Sequence, residues 1–142
     1  MTLFWLSIAL VVGTNLVYHV AQKSIPADTH PLVSVLASYV IALVTTLLLF
    51  PFFPVRTSLG QAVRQLKWPT VAVGISIVGI EIGFLLAYRA GWRISLGSTV
   101  AAAAVAVLLI PTGLSLYGEK LSAANVTGIA LCIAGLALAV QR

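Results

Sequence analysis

Apolar positions fall into five long runs separated by short polar connections: Leu3 to Ala21, Leu32 to Phe53, Trp68 to Tyr88, Gly97 to Tyr117 and Ala123 to Val140. A helix crosses the hydrocarbon of a bilayer with about 17 to 25 predominantly apolar residues, and each run has that length. The pattern predicts an all-α membrane protein, a five-transmembrane-helix bundle forming a single domain over residues 1–142. Ile25-Pro26 and His30-Pro31 stop the first helix and open the second, and Pro51-Phe52-Phe53-Pro54 ends the second, because proline removes a backbone donor. Between the second and third runs, Ser58 to Lys67 places Leu59, Val63 and Leu66 on one side with Arg64 and Lys67 beside them, which predicts a short helix in the membrane interface. The first run has no basic residue before it and is too long for the apolar part of a signal peptide, so it is expected to remain in the mature protein.

The third run carries a carboxylate where none is expected. Glu81 lies seven residues before Tyr88 and thirteen after Trp68, which places it roughly 10 Å from the nearer helix end and inside the hydrocarbon. A charge near the middle of a spanning helix costs about 2.5 to 3.5 kcal/mol, whereas each neighbouring Ile, Val, Leu or Phe returns about 0.3 to 0.6. The helix can insert, and its carboxylate is expected to face a cavity or a partner. At 100° per residue Ala72, Ser76, Gly79, Gly83, Ala87 and Ala90 form a stripe of small residues suited to close helix packing. Glu81 falls on the opposite side with Thr70, Gly74, Ile77 and Tyr88.

On the first helix Ser7, Thr14, Asn15, Tyr18 and Gln22 lie within about 100° of one another. Such a stripe serves either interhelical hydrogen bonds or a substrate path; Asn15 and Tyr18 are the candidates for the path, while His19 lies beside the stripe near the interface. Arg89, Trp92 and Arg93 suit snorkelling anchors at a membrane boundary. On the last helix Ala124, Gly128, Cys132, Gly135 and Ala139 make a second small-residue stripe, a candidate packing or dimer surface.

Composition agrees with the pattern: 61% of residues are hydrophobic and 8% charged, with a mean hydropathy of +1.11, far too apolar for a soluble domain. The eight Lys and Arg are scattered among connections and helix ends, so the basic balance does not predict a nucleic-acid partner. The single cysteine, Cys132, excludes an intrachain disulfide, and no spacing suggests a metal site or another cofactor. With one intramembrane carboxylate and no nucleophile beside a base, an enzyme is not expected.

The run from Pro111 to Ser122, with Gly118-Glu119-Lys120-Leu121-Ser122 at its end, followed by Asn125, Gly128 and Ala134-Gly135, resembles the end of an EamA-type repeat of the drug/metabolite transporter superfamily. Phe84 to Tyr88 through Ser98 is also similar to the family, and the first two helices match in pattern. Physically, Gly118 permits a reversal there and Ser122 can cap the last helix. The resemblance implies a secondary transporter of small metabolites, amino acids or amphipathic compounds, multi-pass in a cell inner membrane or plasma membrane. Full members usually carry two such repeats; here one is expected to serve as half of an antiparallel homodimer.

Loop charges bear on that expectation. Arg56, Arg64, Lys67 and Lys120 fall on the N-terminal side of a five-helix arrangement, and Lys23, Arg89, Arg93 and Arg142 on the other, four against four. The Lys and Arg bias that normally fixes orientation is zero, which predicts insertion both ways. The expected mechanism is proton-coupled export by alternating access, with Glu81, Asn15, Tyr18 and Tyr88 as substrate- or proton-binding residues. A flippase for a lipid-linked sugar and a non-transporting membrane subunit, its Glu81 paired with an Arg of a partner protein, are the competing expectations.

Overall fold

A computed structural model describes residues 2–53 and 58–140. Every regular element among them is helical: α1 (Thr2–Ser24), α2 (Pro31–Leu49), a 3-10 turn (Phe50–Phe52), α3 (Leu59–Arg64), α4 (Trp68–Arg89), α5 (Ile94–Leu116) and α6 (Ala123–Val140). Among the described residues, α1, α2 with its 3-10 extension, α4 and α5 are long and apolar enough to cross a membrane, and α6 carries a shorter apolar stretch over Ala123–Leu138. Pro54, Arg56 and Arg142, which entered the helix-end and charge arguments, lie outside the described residues.

Helix boundaries follow the local chemistry. Pro31 occupies the first turn of α2, where its missing N–H costs nothing. The Ser58 hydroxyl accepts from the Gln61 N–H at 3.3 Å and starts the short α3. α5 begins three residues before the expected Gly97, because Arg93 supplies an extended N-cap and the Ser98 and Thr99 hydroxyls donate back to the Ile94 and Ser95 carbonyls at 2.7 and 2.6 Å. Hydroxyls bonded in this way are compatible with a helix interior even in hydrocarbon.

The chain forms two compact units, residues 21–89 and residues 1–20 with 90–142. In the first, α2 packs on α4, and these two helices contribute the buried hydrophobic residues Val35, Leu85 and Tyr88. In the second, α5 packs on α6. α5 continues through Pro111 to Leu116, after which Gly118 adopts a φ of +62° and the Glu119 N–H returns to the Gly113 carbonyl at 3.1 Å. The Ser122 hydroxyl accepts from the Asn125 N–H at 3.2 Å and starts α6. The expected turn and cap are therefore both present.

Two glycines of this turn respond differently to an added methyl group. Gly118 sits in the left-handed region, where a Cβ costs about 1 to 2 kcal/mol. A Cβ on Gly113 meets only the Glu119 carboxylate, the mobile end of a side chain, and alanine favours the helix by about 1 kcal/mol. Gly118→Ala is expected to lower the thermal unfolding midpoint in detergent, and Gly113→Ala to leave it unchanged or raise it.

Large hydrophobic side chains cover the exterior of every long helix, Trp5 at 68%, Leu48 at 70%, Ile75 at 69% and Leu131 at 68% exposure among them. A water-soluble chain does not tolerate a continuous apolar exterior of this kind, whereas lipid does. The fold is that of an all-helical chain compatible with a multi-pass membrane protein.

Candidate functional site

Glu81, Leu85 and Tyr88 follow one another at helical spacing along α4, and this is the side of the helix that packs: Leu85 and Tyr88 are buried and Glu81 is half-buried. The small-residue stripe was expected to be a packing face as well, opposite the carboxylate. At Gly79 and Gly83 the stripe is open, with no atom within 4 Å of a built Cβ, while Ala72 and Ala87 are half-buried. The physical reason is that the carboxylate needs a partner in an apolar medium more than a smooth face needs a neighbour.

That partner is Gln22, in the last turn of α1, whose buried amide donates from Nε2 to Glu81 Oε2. An amide offers both a donor and an acceptor, so it can serve an ionised carboxylate and a protonated carboxyl alike. From α2, Tyr39 brings a phenol whose oxygen is buried and makes no hydrogen bond among the described residues. Arg89 holds the Thr29 carbonyl at the end of α4, and from that tie Tyr39 lies roughly 15 Å along α2 and Glu81 roughly 12 Å back along α4, so the two stand at similar depth on packed helices.

Two turns beyond Glu81 the polar groups belong to the helix end. The Lys23 ammonium donates to the Tyr88 carbonyl at 3.0 Å and lies 5.7 Å from the centre of the Tyr88 ring, which also stacks on Phe84 at 5.9 Å. A cation at this carbonyl satisfies one of the acceptors that a helix C-terminus leaves open and meets the negative end of its dipole. Arg89 Nη2 donates to the Pro26 and Thr29 carbonyls at 3.1 and 2.6 Å, binding the α1–α2 connection to the end of α4. The anchoring role expected for Arg89 is thus directed at the chain's own backbone. Arg89→Ala leaves two carbonyls of the connection without their charged donor and is expected to destabilise by about 1 to 3 kcal/mol. Lys23→Met should cost less, because Lys23 is exposed. Thermal unfolding in detergent, with Arg89→Lys giving partial rescue, measures both.

Of the four residues expected to bind substrate or proton, Glu81 and Tyr88 share the packed side of α4. Asn15 is exposed on α1, and Tyr18 is half-buried with its ring edge-on to His19 at 5.0 Å. The α1 stripe divides by chemistry: Ser7 and Thr14 return their hydroxyls to the Phe4, Leu10 and Val11 carbonyls, while Gln22 reaches across to Glu81. Gln22 and Tyr39 were missed as members of the Glu81 site. Gln22 stood in the polar stripe and could have been found there; Tyr39 carried no signal beyond being the one phenol on α2. Among the described residues no three His, Cys, Asp or Glu side chains gather as metal ligands.

The class these features define is an all-helical chain, with four described helices able to cross a membrane and one half-buried carboxylate on α4 hydrogen-bonded to an amide at the end of α1. The chain matches no protein-family profile, and no curated protein or solved structure is similar to it at a significant level.

Proposed function

We propose that the chain is a secondary transporter of small metabolites or amphipathic compounds, built as a five-helix repeat of EamA type, with Glu81 carrying the coupled proton. The single observation that carries this is Glu81 itself, an acidic group within the apolar length of α4 whose hydrogen-bond partner is a neutral amide rather than a cation. A carboxyl group so placed is neutral when dry and ionised when water reaches it, the property a proton-coupled carrier needs. α6 serves as the fifth span, and two copies of the chain insert antiparallel in a cell inner membrane or plasma membrane to give alternating access. Open small-residue positions support the pairing, since Gly79 and Gly83 on α4 and Gly128 and Gly135 on α6 have no atom within 4 Å of a built Cβ.

Proteoliposomes carrying an imposed pH gradient test the proposal. A panel of amino acids, small metabolites and amphipathic compounds is expected to contain at least one whose movement follows the gradient and stops when the gradient is collapsed. Movement of no compound, together with one stoichiometric partner protein on purification, would instead identify a subunit of a larger complex.

A further inference from the structure

Tyr39 is the least explained polar group among the described residues. A buried phenol oxygen without a hydrogen bond is costly, and such groups in folded proteins ordinarily have a partner in some state. Tyr39 lies on α2, the helix packed on α4, and α2 carries no other titratable side chain. The remaining described ionisable groups of the packed elements are engaged or lie at helix ends: Lys23 on the Tyr88 carbonyl, Arg89 on the Pro26 and Thr29 carbonyls, Asp28 and His30 in the α1–α2 connection, and Tyr88 two turns along α4. Tyr39 is thus the one titratable side chain of α2, one turn beyond the buried Val35 and level with Glu81 on the helix packed against it.

We propose that Tyr39 is a positioning residue for the Glu81 proton: its hydroxyl is idle while Glu81 is protonated and donates to the carboxylate once the proton has left. This deepens the assignment of Glu81 as the proton carrier and rests on it. A phenol O–H is a donor that an ionised carboxylate accepts strongly, and a charge-assisted bond of this type exists only in the proton-free state. Together with Gln22 Nε2 it gives the ionised carboxylate two donors where no described cation pairs with it, so Glu81 can lose its proton while α2 stays packed on α4.

A test needs no knowledge of the transported molecule. An apolar carbodiimide, N,N′-dicyclohexylcarbodiimide, reacts with protonated carboxyls in membranes. The carboxyl oxygen adds to the central carbon, the carboxyl proton moves to nitrogen, and the adduct rearranges to a stable acylurea with no leaving group. Labelling of Glu81, followed by mass spectrometry of the peptide across a pH series, reports its protonation in the reconstituted full chain, and Glu81→Gln supplies the blank. Tyr39→Phe keeps the ring and removes the hydroxyl, so its labelling curve is expected to move to higher pH by about one unit. Ser38→Ala, a neighbouring hydroxyl on the same helix, should follow the wild-type curve. Coincident curves for Tyr39→Phe and the wild type, or an equal shift in Ser38→Ala, overturn the role of Tyr39 while leaving Glu81 as the proton carrier. A Glu81 label that does not change with pH in any variant overturns both.

Discussion

Glu81→Gln is expected to abolish pH-driven substrate movement and leave a folded protein. Glutamine has nearly the size and shape of glutamic acid, and its side-chain carbonyl can still accept from Gln22 Nε2, so the contact between the end of α1 and α4 survives. What it cannot do is gain and lose a proton. Thermal unfolding should stay within about 1 kcal/mol of the wild type, whereas dependence of transport on the pH gradient should vanish. Glu81→Leu separates packing from coupling more sharply. It removes the acceptor of Gln22, at about 1 to 3 kcal/mol, and replaces a desolvated carboxyl with an apolar side chain, which offsets part of that loss. That variant is expected to remain folded, within about 3 kcal/mol of the wild type, and to be inactive. Pairing uptake in proteoliposomes with unfolding in detergent decides the matter. Normal pH-dependent uptake in Glu81→Gln would reduce the carboxyl to a packing group.

The helices were legible in the sequence because hydrocarbon imposes a simple rule, that backbone polar groups must be satisfied within each segment, and long apolar runs obey it. Glu81 was legible for the same reason, as the one acidic residue deep in an apolar run. Its surroundings were not. Helical periodicity assigns a residue to a side of its own helix, so it could place Glu81 opposite the small-residue stripe, but it cannot say which side a neighbouring helix will choose. The stripe invited close approach, yet α2 packs on α4 at the side of Leu85 and Tyr88. Likewise the α1 stripe looked like one polar path, although hydroxyls and amides behave differently in a helix. Ser7 and Thr14 reach their own backbone, which a longer amide such as Gln22 is free to leave. Tyr39 was invisible because a tyrosine in an apolar run is read first as an interfacial or core aromatic.

A reporter fused to the C-terminus is expected at both faces of the membrane, and two added lysines should be enough to remove one of the populations. In the proposed five-span arrangement the four cations on each side leave no net bias, so a small addition becomes the dominant orienting signal. Gln61→Lys with Gln65→Lys adds charge around α3, on the N-terminal side, and should retain that side in the cytoplasm and send the C-terminus out. Ala27→Lys with Asp28→Lys loads the α1–α2 connection and should do the reverse. If the working form is an antiparallel pair, each locked variant alone contains only parallel copies and is expected to lose transport, since an inverted partner is what supplies the second half of an alternating-access path. Co-expression of the two locked variants should restore it without any new contact being engineered. Restoration separates a requirement for opposite orientations from damage done by the lysines, which would persist in the mixture. A wild-type reporter found on one face only would remove the homodimer and leave a distinct, inverted partner chain as the way to complete the path.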